Sequence, residues 1–409
     1  MSGTLAAGTE HAPNFPMPRG RCPYDPPPQV EHLRAERPIG RVTLYDGAEA
    51  WLVTRHADVR AVLADPRFSA DLRTPGFPLM SPSRRGRAQQ LEPAFISLDD
   101  PEHARMRRML ISEFTVKRTA TLRPMVAGIV DELLEEFAAQ PQPADLVAGF
   151  ALPLPSLVIC RMLGVPYADH DWFQALSARL LTTSTTPEET VATVDELRGY
   201  LAELVRRRIS DPDDGMIGRV LAPRVAAGDL TIGEAAGMAQ LLLVAGHETT
   251  ANQLALGTMV LLDHPEVAAE LRTSDDPSVV DGAVEELLRL LTIVHNARAR
   301  VAVEDVEIDG VLIRAGEGVL ASSEAADRDP DAFPDPDRFD IHRPHRQHVA
   351  FGFGVHQCLG QPLARMELRV AYPALLRRFP DLAVARPADE LRFRGDRFVY
   401  GVHELPVTW

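Results

Sequence analysis

The chain has 409 residues, of which 45% are hydrophobic, and a formal net charge of −15 from 58 acidic and 43 basic side chains. That length allows one to three domains, and the acidity argues against a protein that holds nucleic acid by its phosphates. No run of about 18 apolar residues is free of charge and proline, so no membrane span is expected, and three scattered cysteines (Cys22, Cys160, Cys358) suit a reducing cytoplasm better than a disulfide scaffold.

The chain starts Met1-Ser2-Gly3-Thr4, without a basic segment and apolar run, so no signal peptide is expected. Residues 1–30 are rich in Pro, Gly and polar residues and read as an arm or tail, with the domain proper from about residue 21. Val42–Thr54 alternates around Trp51-Leu52-Val53, a predicted β-hairpin, and residues 56–65 read as a short helix. Residues 70–95, with their prolines, read as a long loop of the kind that binds or covers ligands. Helical periodicity then dominates, at about 101–112, 118–139, 151–163, 167–183, 188–210, 231–262, 265–273 and 277–291. The run 182–187 separates two of these helices. Residues 293–321 return to a strand pattern with a turn at Asp309-Gly310, residues 327–346 are irregular, and a last helix covers about 359–378 before a strand-like tail. No linker divides these pieces, so a mainly α chain with small β-sheets (α+β) in one domain is expected.

The residues that carry chemistry stand in the second half. Phe351-Gly352-Phe353-Gly354-Val355-His356-Gln357-Cys358-Leu359-Gly360 places a lone cysteine between a glycine-spaced turn and a helix start. Free N–H groups and the helix dipole favour a thiolate there, and the glycines let a flat ligand approach closely. A buried structural cysteine is the plainer alternative. Ala245-Gly246-His247-Glu248-Thr249-Thr250 interrupts an apolar helix with Gly, an acid and two alcohols. This reads as a proton relay facing a ligand pocket, with Gly246 leaving room for the ligand, or as a kinked helix with a surface acid. Position 251 is Ala, so a zinc-protease pair of histidines is excluded. Glu286 and Arg289 share a helix face, and Arg338 is the expected third member of their network. Arg105, Arg107 and Arg108, with Arg365 and Arg369, form either a basic face for an acidic protein partner or an ordinary solvated surface.

In this order the motifs resemble the cytochrome P450 superfamily of heme-thiolate monooxygenases, over nearly the whole chain from about residue 20. The length, acidity and C-terminal pattern resemble soluble bacterial members, of the actinobacterial secondary-metabolism type. The resemblance implies heme b between the long central helix and the cysteine turn, with Cys358 as axial ligand and Phe351, Gly360 and Ala245 beside it. His103, Arg107, Arg300 and His356 would hold the propionates, Arg298 being the alternative to Arg300. Glu248 and Thr249 would deliver protons for oxygen activation. Leu241, Val244, Ile293, Val294, His295, Asn296, Phe398 and Val399, with residues 70–95 and 173–190, would surround a lipophilic substrate, His295 and Asn296 anchoring its polar group. Electrons would come from NAD(P)H through a reductase and a ferredoxin docked near Arg108 and Arg365. A cytoplasmic monomer using O2, with neither nucleic acid nor membrane as partner, is the expectation. A peroxygenase or isomerase on the same scaffold, and a non-catalytic heme sensor, are the alternatives.

Overall fold

The computed structural model describes residues 12–344 and 347–409. Its core is a stack of helices around Ile232–Asp263, with small sheets at the edge. That central helix starts where the sequence dictates. Thr231 caps the N–H of Glu234, whose carboxylate returns to the N–H of Thr231, a reciprocal capping box. Most of its length is apolar and buried, against the helices Pro153–Leu163 and Pro187–Ser210 on one side and Gln361–Arg378 on another.

The strands are β1 (Ile39–Thr43), β2 (Glu49–Val53), β3 (Phe68–Ser69), β4 (Ala144–Asp145), β5 (Arg298–Ala302), β6 (Val306–Ile308), β7 (Val311–Ile313), β8 (Gly318–Ala321), β9 (Ala383–Val384) and β10 (Pro406–Thr408). They form a five-stranded sheet in the order β1-β2-β8-β5-β3, a three-stranded sheet β4-β10-β9, and the hairpin β6-β7. In the hairpin turn Asp309 and Gly310 both have positive φ, as a tight two-residue connection requires. In the five-stranded sheet Arg298 lies opposite Ala321 and Arg300 opposite Val319, so both arginines leave β5 on one face.

Several boundaries differ from the sequence expectation. The supposed loop at 70–95 contains the helix Pro82–Gln90, whose polar composition has no apolar stripe to betray it. The run 118–139 is divided into Val116–Ala120 and Arg123–Ala138, with Pro124 in the first turn of the second helix. A helix Pro28–Glu36 follows the proline-rich arm. Residues 1–11 of that arm lie outside the described residues. Farther along it Phe15 and Met17 are buried beside Val42 and Leu52, and Asn14 bridges to Thr43.

The central and final helices meet at Gly257 and Tyr372. The tyrosine hydroxyl donates to the carbonyl of Gln253 (2.6 Å), and a methyl group at Gly257 would overlap that hydroxyl. Gly257→Ala is therefore expected to destabilise the fold by about 1–3 kcal/mol, although alanine is the better helix former. Adding Tyr372→Phe removes the clashing oxygen, so urea denaturation should show the double variant losing less than the sum of the single ones.

Candidate active site

Cys358 is enclosed by protein yet keeps exposed surface, so it borders an internal space. Its N–H donates to the carbonyl of Phe351 (2.9 Å), which closes the turn, and the final helix begins three residues later at Gln361. Burial pushes the thiol pKa up. The N–H of Gly360, the charges of Arg298 and Arg107, and the N–H of Gln361 oppose it. Gly352 and Gly354 both have positive φ, which explains the glycines of the turn.

Beside the turn, four basic side chains converge. His103 stacks on His356 with ring centroids 4.1 Å apart, and its Nδ1 donates to Asp100 (3.1 Å). His103 Nε2 and His356 Nδ1 are buried and have no partner among the described residues. Arg107 bonds the carbonyl of Gln357 (2.6 Å). Arg300 is buried, and among the described residues its guanidinium makes one hydrogen bond, to the adjacent carbonyl of Ala299 (2.8 Å). Burial, then the charges of Arg300, His103 and Arg107, drive His356 down to about 3, while burial and the charge of Arg298 lower Arg300 to about 10. Such a cluster is short of anions, so a pair of carboxylates fits it. Arg298 is committed elsewhere, to Ser323 and to the carbonyl of Ala350 (2.7 Å). Of the two arginines on this face, Arg300 is the one with donors to spare.

The central helix carries the other candidate surface. Leu241, Val244 and Thr249 are half-buried and Ala245 is exposed, a single face at helical spacing, with Gly246 half-buried at its edge and the rest of 241–250 buried. The Thr249 hydroxyl donates to the Ala245 carbonyl (2.8 Å). Glu248 does not share that face. It is 4% exposed and paired with Arg394 (3.1 Å), and the Asn252 amide donates to its backbone carbonyl (2.6 Å). Arg394 lies 146 residues away, beyond the reach of any local pattern. Gly246 leaves room for a neighbouring helix rather than for a ligand: a methyl group there would stand 2.9 Å from Ile159 Cγ1.

The structure corrects the third member of the Glu286 network. Arg289 forks onto Glu286 (2.8 Å twice), and Arg343 donates to both oxygens from its Nε (3.1 and 3.2 Å). Arg338 is exposed and, among the described residues, contributes only its backbone carbonyl, which accepts from Arg343 (2.9 Å) and Arg289 (3.4 Å). Both arginines lie in the irregular segment, where no periodicity tells which side chain turns inward. Arg365 is a second correction. It is forked onto Glu285 (2.7 and 2.9 Å) and stacked over the Phe351 ring (4.6 Å), so it is not a free surface cation. Arg105 pairs with Glu234, leaving Arg108 as the exposed member of its triplet.

Of the expected pocket residues, Val294 and Phe398 are half-buried, whereas Ile293 and Val399 are buried. Arg84 stacks over the Phe398 ring (4.1 Å), joining the 82–90 helix to the C-terminal segment. His295 and Asn296 both bond the carbonyl of Arg397 (2.7 and 3.1 Å). Burial lowers His295 to about 3, so it stays neutral, and it lines a cavity of about 300 Å³ beside Pro16–Pro23 and Tyr400. The segment 293–296 is thus tied to the C-terminal segment, while the buried Asn296 Oδ1 has no partner among the described residues.

An enclosed cysteine, an anion-seeking cluster beside it and an open face on the central helix together fit a heme with one thiolate ligand and two propionates. The chain belongs to the cytochrome P450 family: the family model "Cytochrome P450" matches residues 170–388. Cytochrome P450-SU2 of Streptomyces griseolus is 54% identical over 388 residues, covering 95% of this chain and 94% of that protein. Pentalenic acid synthase of Streptomyces avermitilis is 48% identical over 395 residues, covering 97% of each. The crystal structure of the mycinamicin VIII C21 methyl hydroxylase MycCI from Micromonospora griseorubida, bound to mycinamicin VIII, superposes with a TM-score of 0.91 at 40% identity, over 97% of this chain and 100% of that one. The chain is accordingly a cytochrome P450 monooxygenase, an oxidoreductase, and heme b is its cofactor. No described helix is long and apolar enough to cross a membrane.

Two outcomes follow from the buried charges. Arg343→Ala leaves Glu286 short of a partner and is expected to cost about 3–5 kcal/mol in urea denaturation, whereas Arg338→Ala is expected to stay within about 0.5 kcal/mol of the parent. Burial alone would raise Glu285, but hydrogen bonds from His348 and Arg365 pull it down to about 2. Its folded value lies below the unfolded one, so its stabilisation is present above the ordinary carboxylate range and fades as pH falls toward 2. The stability gap between parent and Glu285→Gln should therefore be wide at neutral pH and shrink on acidification through that window.

Proposed function

We propose that this enzyme inserts one oxygen atom from O2 into a lipophilic secondary metabolite, such as a macrolide or terpenoid, releasing the other as water. The observation that carries this reading is Cys358, enclosed yet exposed, beside four basic groups of which His103 Nε2 and His356 Nδ1 have no partner among the described residues. The bound heme supplies the oxygen and redox chemistry. Cys358 would be its ligand, and the N–H groups of Gly360 and Gln361 would help stabilise the thiolate that ligation requires. His103, Arg107, Arg300 and His356 receive the propionates, whose charge relieves their mutual repulsion. Phe351, Gly360 and Ala245 line the two faces.

Thr249 orients its hydroxyl at the pocket through the Ala245 carbonyl, and Glu248 supplies protons from behind it. The acid must leave Arg394 to do so. Leu241, Val244, Ile293, Val294, Phe398 and Val399 form the apolar walls that exclude water, and the ends of His295 and Asn296 brace that wall from outside. The mycinamicin-bound relative and the pentalenic acid synthase support a bulky, largely apolar substrate. Electrons come from NAD(P)H through a reductase and a ferredoxin in the cytoplasm, the enzyme acting as a monomer. Exposed Arg108 fits the acidic surface of such a partner.

A carbon-monoxide difference spectrum tests the ligand: the parent is expected to show the thiolate-type Soret shift and Cys358→Ser to lose it. A parent without that shift overturns the reading. Thr249→Ala and Glu248→Gln should retain the shift and substrate binding while product formed per NAD(P)H falls, about 10²-fold for the acid. Unchanged coupling in both variants would remove them from the proton path.

A further inference from the structure

The adjacent acids Glu285 and Glu286 serve different parts of the fold. Glu286 joins Arg289 and Arg343, which hold the irregular segment against its helix (Pro277–Leu291). Glu285 points instead toward the final helix and the cysteine turn. It accepts two hydrogen bonds from Arg365 and one from His348 Nε2 (3.1 Å), with its side chain only 11% exposed. The guanidinium thus fixed has two further contacts. Its remaining nitrogen donates to the Gln361 side-chain oxygen (2.7 Å), and its plane covers the Phe351 ring. These are the residues that hold Cys358 in place: the Phe351 carbonyl accepts the Cys358 N–H, and the Gln361 N–H bonds the sulfur. The cations that act on the sulfur through charge are Arg298 and Arg107. Arg365 is neutralised by Glu285 and is placed to act through geometry.

We propose that Arg365, gripped by Glu285, is a positioning residue that sets how strongly the helix N-terminus hydrogen-bonds the Cys358 sulfur. A thiolate that loses N–H donors becomes more basic and donates more electron density to iron. The ferric state is then favoured over the ferrous, and the sulfur protonates more readily. The inference rests on Cys358 being the heme ligand.

The test uses the substrate-free holoenzyme, an equilibrium redox titration and the carbon-monoxide spectrum. Arg365→Gln is expected to shift the midpoint potential downward and to raise the ratio of thiol-bound to thiolate-bound carbon-monoxide complex roughly tenfold, the size of one lost charge-assisted hydrogen bond. Arg365→Lys keeps the charge and loses the planar fork, so it should resemble the glutamine variant. Arg338→Gln, at an exposed side chain, should leave both readouts at parental values. Parental potential and spectrum in Arg365→Gln, even with lowered thermal stability, overturn the proposal, and so does full rescue by lysine. Should Arg365→Gln fail to fold, Glu285→Gln replaces it, with shifts in the same direction expected and parental values counting against. A parent lacking the thiolate-type spectrum would instead sink the ligand assignment itself, whatever the variants show.

Discussion

Cys358 lies where desolvation disfavours its anion, and segments distant in sequence converge to offset that cost. The final helix brings the N–H groups of Gly360 and Gln361, β5 brings Arg298, and the helix Glu102–Leu110 brings Arg107. A buried anion without such partners takes up a proton instead. The cluster around His356 is the complementary case, with basic groups crowded together and short of anions. A ligand carrying a metal cation at its centre and carboxylates at its edge satisfies both, so the heme completes electrostatics that the protein alone leaves unbalanced.

This arrangement explains the depth of the supporting networks. Glu286, Arg289 and Arg343 are nearly inaccessible, and isolated buried charges would destabilise the fold. Each instead meets partners of opposite sign or carbonyl oxygens, and the irregular segment before the cysteine turn gains fixed geometry without regular secondary structure. Across the site the ion pair of Glu248 and Arg394 ties the central helix to the C-terminal segment, where Gly401 lies so close that a side chain would overlap Asn252. Both faces of the site are thus held by buried ionic contacts between residues far apart in the chain.

Glycine illustrates how motif residues divide between local and tertiary causes. Gly352 and Gly354 answer a local backbone demand for positive φ, visible in the glycine-spaced pattern itself. Gly246 answers a packing demand from Ile159, which no local pattern reveals. The arginines divide in the same way. Arg289 was legible because Glu286 is three residues away on one helix, and Arg343 was not because its segment has no period. Arg365 read as a surface cation on a helix, and only the approach of Glu285 from another helix turned it inward.

The sequence by itself determined the order of the motifs, the helix periods, the reciprocal cap at Thr231 and the face shared by Arg298 and Arg300, since these depend on neighbours a few residues away. From them the family and the cysteine were readable, along with the acid and alcohol on the central helix. Tertiary structure alone decided which arginine completes the Glu286 network, that Glu248 is held by Arg394, that His295 is spent on a backbone carbonyl, and that Arg365 braces the cysteine turn. Each of those outcomes depends on burial and on charges brought together across long stretches of chain, and burial is a property that local sequence does not carry.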